Sequence, residues 1–410
     1  MARDLDLLVF GSTGFTGRFV IDALRNSDEA KGGLRIGLAG RTSAKLEVMK
    51  ARLCADGVVS ADRVEVIVVD SADSSGLDKA VARARVVLTT VGPYLAVGKP
   101  LLAAAARAGT HLVDLTGEPP FIRYSIDTHH AEAQASGARI VHCCGFDSIP
   151  SDLGVLVLQQ AAIGDGGGPC ARVVYTMMAA SGGFSGGTAH SLLGVVELAA
   201  TDKDARRVMS DPYSLVPGGP RGPDTRERFA VGTDDDIGAV VGPFVMGPIN
   251  TRVVRRSNAL LEYRYGEDFS YAEQMRVGRG LKGHLVGQGI RLGLGAVVGL
   301  GASSAGRSIL RRVFPAQGSG PSDEACAKGF FASELHGHRT DGAHFRGKVK
   351  AQKDPGYGAT GDMIVESALR LLDDESTLGP PGVTTPAAAL GLPLVHRLRR
   401  RGMTFEASRV

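Results

Sequence analysis

Two textures alternate along the first third of this chain: short apolar runs of aliphatic and β-branched residues, and longer stretches with apolar residues at helical spacing. Leu5 to Phe10 is such a run and stops at Gly11, after which Phe19, Val20, Ala23 and Leu24 recur with helical period. Leu34 to Gly40, Val64 to Val69, Val86 to Val91, His111 to Leu115 and Ala138 to Cys143 continue the strand series. Leu77 to Ala84, Pro100 to Ala108 and His129 to Ala135 supply helices between them. Strand and helix in strict alternation predict an α/β fold with a doubly wound parallel sheet.

From Ser151 the pattern changes. Leu153 to Ala162 and Ala189 to Ala200 read as helices, and Arg172 to Ala179 as a strand. Arg252 to Tyr265 suggests paired strands, and Glu334 to Lys350 alternates in strand fashion. Ser181 to Gly187, Pro217 to Asp224 and Pro315 to Ser322 are Gly- or Pro-rich connections. Gly358 to Leu372 is an amphipathic helix, and Thr385, Pro386 and Gly402 mark a final one by cap, first-turn proline and terminating glycine. The expected organisation is therefore residues 1–150 as the parallel-sheet domain and 151–354 as an α+β domain with a mixed or antiparallel sheet. Residues 355–410 are expected to be helices packing back on the first domain.

The 410 residues are long enough for two cores, and 43% hydrophobic with 22% charged residues describes a globular protein. A net charge of +4, 5% aromatic residues and no Trp give no basis for nucleic-acid binding. Five cysteines, an odd number with no C-x-x-C pair, fit a reducing compartment without a disulfide framework or zinc site. Arg3 and Asp4 lead straight into the first strand, so no signal peptide is expected. The localisation read from this is cytoplasmic.

The chemistry starts at the first strand-to-helix turn, Gly11-Ser12-Thr13-Gly14-Phe15-Thr16-Gly17. Its G-x-x-G-x-x-G spacing is a variant of the Rossmann fingerprint, in which glycines let backbone N–H groups and a helix N-terminus approach a diphosphate. The competing reading is a tight turn whose small residues serve packing. Arg41, at the end of the second strand, stands where an NAD site carries an acid, and an arginine there accommodates a 2′-phosphate; it reads alternatively as an ordinary solvated arginine at a helix start. The cofactor expected is NADP(H). Ligands in such sheets bind beyond the strand carboxyl ends, where Asp70 (near the adenine), Gly92, Pro93, Tyr94, Thr116 to Glu118 and Gly145 to Ser148 also fall.

Several motifs together carry a resemblance. The glycine turn, Ala39-Gly40-Arg41, Val91-Gly92-Pro93-Tyr94, Asp114-Leu115-Thr116-Gly117-Glu118 and Cys144-Gly145-Phe146-Asp147-Ser148-Ile149-Pro150-Ser151-Asp152 resemble the saccharopine dehydrogenase-like oxidoreductases. Pro355 to Thr360 and Gly402 to Glu406 do so as well. Within them the chain is similar to the trans-acting enoyl reductases, which serve polyketide-derived envelope lipids. That resemblance implies an NADPH-dependent reductase of a carrier-bound polyketide or fatty acyl double bond. Hydride addition at the β-carbon then needs a donor at the enolate oxygen and a proton at the α-carbon. Tyr94, Asp147 and Ser148 are the candidate catalytic residues. Tyr94 reads equally as a packing ring, and Asp147 equally as the cap of the helix after Pro150. Ser185-Gly186-Gly187-Thr188 offers either backbone donors or a plain helix cap. His142, inside a strand, reads as a satisfied core histidine.

One stretch lies apart from these motifs. No acidic residue occurs between Glu273 and Asp323, while Arg276, Arg279, Lys282, Arg291, Arg307, Arg311 and Arg312 do. The uncharged run Leu292 to Gly306 is shorter than the roughly 18 residues of a spanning helix. This segment, 276–312, reads as a peripheral membrane contact, as an acyl tunnel meeting an acidic carrier, or as a core helix with solvated flanks. A homodimer is compatible with all three. Two other functions stay open: a saccharopine-type imine reductase acting on amino acids, and a non-enzymatic membrane- or lipid-associated scaffold.

Overall fold

A computed structural model of the chain describes residues 3–181, 186–314 and 320–410. These form two units, the first built from 3–146 and 356–401, the second from 147–314, 321–355 and 402–410. The expected C-terminal block 355–410 is thus divided between the two.

The first unit holds a seven-stranded sheet: β1 (Leu5–Phe10), β2 (Ile36–Gly40), β3 (Val64–Val68), β4 (Ala84–Thr89), β5 (His111–Asp114), β6 (Arg139–Val141) and β13 (Gly382–Thr384). Their spatial order is β13-β6-β5-β4-β1-β2-β3, with every pair parallel. The order reverses between β1 and β4, so the loops after these strands flank the topological switch point where such sheets bind ligands. The helix Gly358–Arg370 packs on the helix Phe15–Arg25. A Cβ on Gly361 would lie 2.9 Å from Phe19 O, so this approach needs glycine. Tyr357 fills the corner, its ring edge-on to Phe15 at 4.6 Å and stacked on Phe19 at 5.5 Å. The Pro355-to-Thr360 motif therefore anchors the helix that follows the glycine turn.

The second unit holds a mixed sheet of β7 (Arg172–Ser181), β8 (Gly232–Asp234), β9 (Ala239–Gly242), β10 (Ser270–Gly278), β11 (Phe330–His338), β12 (His344–Ala351) and β14 (Thr404–Arg409). The order is β14-β12-β11-β7-β10-β9-β8, with β7 and β10 parallel and the other neighbours antiparallel. One face carries Leu335, Phe345 and Val349, all buried, and packs on the helix Ile149–Gly164. Gly154 on that helix faces Val349 and Leu335, each within 3.3 Å of where a Cβ would stand.

Three expectations are revised. Arg252 to Tyr265 is not paired strands: Gly247–Leu260 is a helix with Pro248 in its first turn. Arg252, Arg255 and Arg256 recur on it at helical spacing and are all buried. Arg252 pairs with Glu227 at 3.1 Å, Arg255 with Asp224 at 2.9 Å, and Arg256 donates to Leu215 O at 2.7 Å. Inward-facing arginines hide the helical period from a reading that assigns charge to solvent. The helical pattern recognised at His129 to Ala135 is the end of a longer helix, Pro119–Ser136, whose start is marked by paired prolines. The expected terminal helix is Pro386–Arg400, broken in conformation at Gly391 and followed by β14.

Candidate active site

The glycine turn follows β1 directly. Gly11 has φ +99°, and a Cβ there would stand 2.7 Å from Thr90 Oγ1 and Val91 Cγ2. Gly17 packs against the turn itself, with Gly11 O and Ser12 O at 2.3 and 2.5 Å from a Cβ position. Thr13 and Gly14 are open to solvent, whereas Ser12 is buried and its Oγ has no hydrogen-bond partner among the described residues. The helix Phe15–Arg25 starts here with no acidic residue in its first turn. Its first N–H groups lack intrahelical acceptors by construction. Small residues, an orphaned hydroxyl and an uncompensated positive helix end together fit a diphosphate.

Arg41 extends from the end of β2 into solvent, its side chain 77% exposed, and its Nε lies 4.0 Å from Asp70 Oδ2. Asp70 accepts from Ala72 N at 2.8 Å and so closes the turn after β3. Arg41 is free to swing toward an anion at the strand ends, since an exposed pair at this distance holds it weakly.

The loop after β4 carries Gly92, Pro93 and Tyr94, with a cis Gly92–Pro93 bond. Glu118, fully buried, accepts from Tyr94 N at 3.0 Å and Leu95 N at 2.7 Å and so holds this loop in place. Tyr94 is 6% exposed; its hydroxyl donates to Thr89 O at 3.2 Å and accepts from Leu115 N at 3.1 Å. A role as donor to substrate requires this hydroxyl to exchange its Thr89 partner. Beneath the loop, His142 lies between Asp114 Oδ2 at 2.7 Å and Ser125 Oγ at 2.9 Å, a buried and satisfied core histidine. The first unit thus brings Gly11 to Gly17, Arg41, Asp70, Gly92, Pro93 and Tyr94 to one set of strand ends.

Asp147 and Ser148 begin the second unit. Ser148, not Asp147, is the N-cap of the helix Ile149–Gly164. Ser148 Oγ donates to Asn250 Oδ1 at 3.0 Å, and Asn250 Nδ2 donates to Glu273 Oε2 at 2.9 Å. Tyr271 Oη donates to the other oxygen, Glu273 Oε1, at 2.7 Å. Burial pushes the Glu273 carboxyl up to about 7, against the pull of hydrogen bonds from Ser151, Tyr271 and Asn250. Sequence reasoning missed Asn250 and Glu273. The available signal was an acid one residue removed from Tyr271 on the inward side of a strand, in a segment not recognised as a strand.

The expected turn Ser185 to Thr188 lies outside the described residues, apart from the helix Gly186–Thr201 that begins within it. The connection 315–319 lies outside them too. The basic segment is not a core helix. Gly280–Gly301 is a helix whose buried residues are Gly283, Gly287 and Gly301, while Leu281, Leu285, Leu292 and Val298 are each more than half exposed. Lys282, Arg291 and Arg312 are exposed, but Arg307 is not a free surface cation. It pairs with Glu197 at 3.2 Å and donates to Gly301 O at 3.0 Å. No helix among the described residues is long and apolar enough to cross a membrane.

Known proteins resemble this chain along its whole length. Residues 7–141 match the saccharopine dehydrogenase NADP binding domain. A Mycobacterium tuberculosis protein named as a candidate trans-acting enoyl reductase is 40% identical over 420 residues, covering 100% of this chain and 98% of the relative. A Mycobacterium ulcerans trans-acting enoyl reductase is 37% identical over 420 residues, covering 100% and 99%. The structure of saccharopine dehydrogenase (L-Glu forming) from Saccharomyces cerevisiae shares the fold, with a TM-score of 0.56 at 15% identity over 99% of this chain and 100% of that one.

Proposed function

Since the chain belongs to the saccharopine dehydrogenase-like oxidoreductases, in their trans-acting enoyl reductase branch, and uses NADP(H), we propose that it reduces a carbon–carbon double bond in a carrier-bound polyketide or fatty acyl chain. The observation that carries this reading is the match to enoyl reductases along the whole chain, second unit included. Bound NADPH supplies the hydride. In this reading Ser12 Oγ and the first-turn N–H groups hold the diphosphate, and Arg41 holds the 2′-phosphate. Tyr94 of the first unit is the group assigned as donor, with Asp147 and Ser148 of the second unit as the alternatives. Ser148 is kept in one orientation by the Asn250–Glu273–Tyr271 chain of hydrogen bonds.

The exposed helix Gly280–Gly301 and its neighbour Ser304–Val313 form the carrier-facing surface in this reading. Apolar side chains stand there beside Lys282, Arg291 and Arg312, a combination suited to an acidic carrier domain with an apolar cargo. The test is NADPH oxidation with three substrates: an enoyl chain on an acyl carrier protein, the same chain on a soluble thioester, and a 2-oxoacid with an amino acid. Turnover with the enoyl chains supports the reading, with the carrier form preferred at low salt. Turnover confined to the oxoacid–amine pair returns the imine-reductase reading, and no turnover with any of them refutes the enzymatic assignment to these substrates.

A further inference from the structure

A second cluster of ligating side chains lies on the opposite face of the second unit's sheet from the helix Ile149–Gly164. Along β11, Glu334, His336 and His338 alternate with the inward-facing Leu335 and Gly337, so all three project to the same face. His338 lies directly across from His344 at the start of β12, and their rings stack at 4.5 Å with 6° between planes. Asp236, in the turn between β8 and β9, reaches this group: its Oδ2 lies 2.9 Å from His338 Nε2.

We propose that Asp236, His336 and His344 bind one divalent transition-metal ion of borderline softness, of the zinc class, with Glu334 and His338 orienting the ligands. His336 Nδ1 and His344 Nε2 face each other at 3.1 Å, and His344 Nε2 lies 4.0 Å from Asp236 Oδ1. The three ligand atoms fall within 4.8 Å of one another. Tetrahedral zinc with bonds of about 2.0–2.1 Å needs ligand atoms roughly 3.3 Å apart; the two histidine nitrogens stand at 3.1 Å, and the Asp236 oxygen, at 4.0 Å from His344, has to move closer to ligate. Two imidazole nitrogens and one carboxylate oxygen suit zinc, nickel or copper rather than magnesium or calcium, which prefer all-oxygen sets.

The outer contacts have the pattern expected around such a site. A ligating histidine commonly gives its second N–H to a carboxylate, which fixes the tautomer and leaves the other nitrogen's lone pair for the metal. His336 is 4% exposed, its Nε2 makes no hydrogen bond among the described residues, and the Glu334 carboxylate is 3.5 Å from it. A proton on Nε2 facing Glu334 leaves Nδ1 bare, directed at His344. His338 does the same for Asp236, holding Oδ2 and leaving Oδ1 to the site. Three protein ligands leave a fourth position for water, and the half-open Asp236 and His344 give it access to solvent. The ion would clasp the β8–β9 turn to the β11–β12 hairpin.

The test uses the full chain, stripped with a chelator and dialysed, then titrated with zinc against a chromophoric competitor and separately with cobalt(II), whose visible ligand-field bands report tetrahedral coordination. The expected result is one zinc per chain, the cobalt bands, and a thermal midpoint that rises with zinc. Asp236→Asn combined with His344→Gln, both at solvent-accessible positions, is expected to keep the fold by circular dichroism and lose all three signals. His338→Ala is expected to weaken zinc about 10- to 100-fold. No stoichiometric uptake by the native chain, or equal uptake by the double variant, would overturn the proposal. Unchanged affinity in His338→Ala would remove the orienting role.

Discussion

Glu273 offers a perturbation whose sign and size both follow from the structure. The carboxyl is fully buried between Tyr271 and Asn250, and burial raises it from the ordinary 4.5 to about 7. The folded chain therefore holds this proton over a pH range in which the unfolded chain has released it. Stability from this group is complete below about pH 4.5 and is lost as pH rises through about 7. At about 1.36 kcal/mol per pH unit, the rise corresponds to on the order of 3 kcal/mol between pH 5 and pH 8. Glu273→Gln keeps the shape and has no proton to lose. Its absolute stability also reflects how well an amide replaces the acid among the donors Ser151, Tyr271 and Asn250, so the useful quantity is the difference between variant and wild type at each pH. Histidines and other groups that titrate in this range are common to both proteins and cancel. Denaturant unfolding at pH 5, 6, 7 and 8 should show the variant gaining on wild type by up to about 3 kcal/mol across the series. Two parallel stability curves would refute the argument, because they would mean that Glu273 stays ionised or reaches water.

Other outcomes follow from the two units. Arg41→Asp should weaken NADPH by about tenfold or more while leaving NADH nearly unchanged, as expected for one charge-assisted phosphate contact of about 1.5–3 kcal/mol; titrations of both cofactors decide it, and an unchanged ratio removes Arg41 from the site. Gly17→Ala puts a methyl against Gly11 O and Ser12 O, so it should destabilise the turn by about 1–3 kcal/mol and reduce NADPH affinity in the same titration. Tyr94→Phe separates two roles: a lowered thermal midpoint with turnover within a few-fold marks a brace between Thr89 and Leu115, whereas a fall of about 100-fold in kcat with NADPH binding intact marks a donor to substrate. Lys282, Arg291 and Arg312 reversed together to Glu should leave folding unchanged. The same triple change should raise KM for carrier-bound substrate at low salt, with a loss that shrinks at high salt and is small for a soluble thioester.

Most of the first unit was legible because β1 to β6 are apolar runs closed by a polar or glycine residue, and the parallel sheet buries both faces; β13 was not, being only Gly382–Thr384 within a stretch expected to be helical. The unit's glycine turn was legible because backbone demands at Gly11 and Gly17 exclude other residues. The second unit was harder to read, since its information lies in buried polar groups. The three arginines of the helix Gly247–Leu260 look like surface residues until the carbonyls and carboxylates that receive them are known. The Ser148–Asn250–Glu273 chain joins three segments separated by about a hundred and then some twenty residues, a proximity with no local signature. The same holds for Asp236 and His336, which a search for ligand spacing along one segment passes over. The exposed apolar helix Gly280–Gly301 was recognisable by composition, but its exposure was not, because glycines at Gly283 and Gly287 give it a narrow contact stripe on β9 and β10.

The placement of β13 has a consequence for synthesis on the ribosome. The first unit's sheet is completed by residues 382–384, which pair with β6 after almost all of the second unit's sequence has been translated. Until then β6 has an unpaired edge, and Phe15 and Phe19 lack the helix Gly358–Arg370 that covers them. A nascent chain released early, or cut after residue 146, carries an open strand edge and an uncovered aromatic patch, both invitations to aggregate. Soluble production of the cofactor-binding unit alone therefore calls for residues 356–401 to be rejoined to 1–146, rather than for a simple truncation.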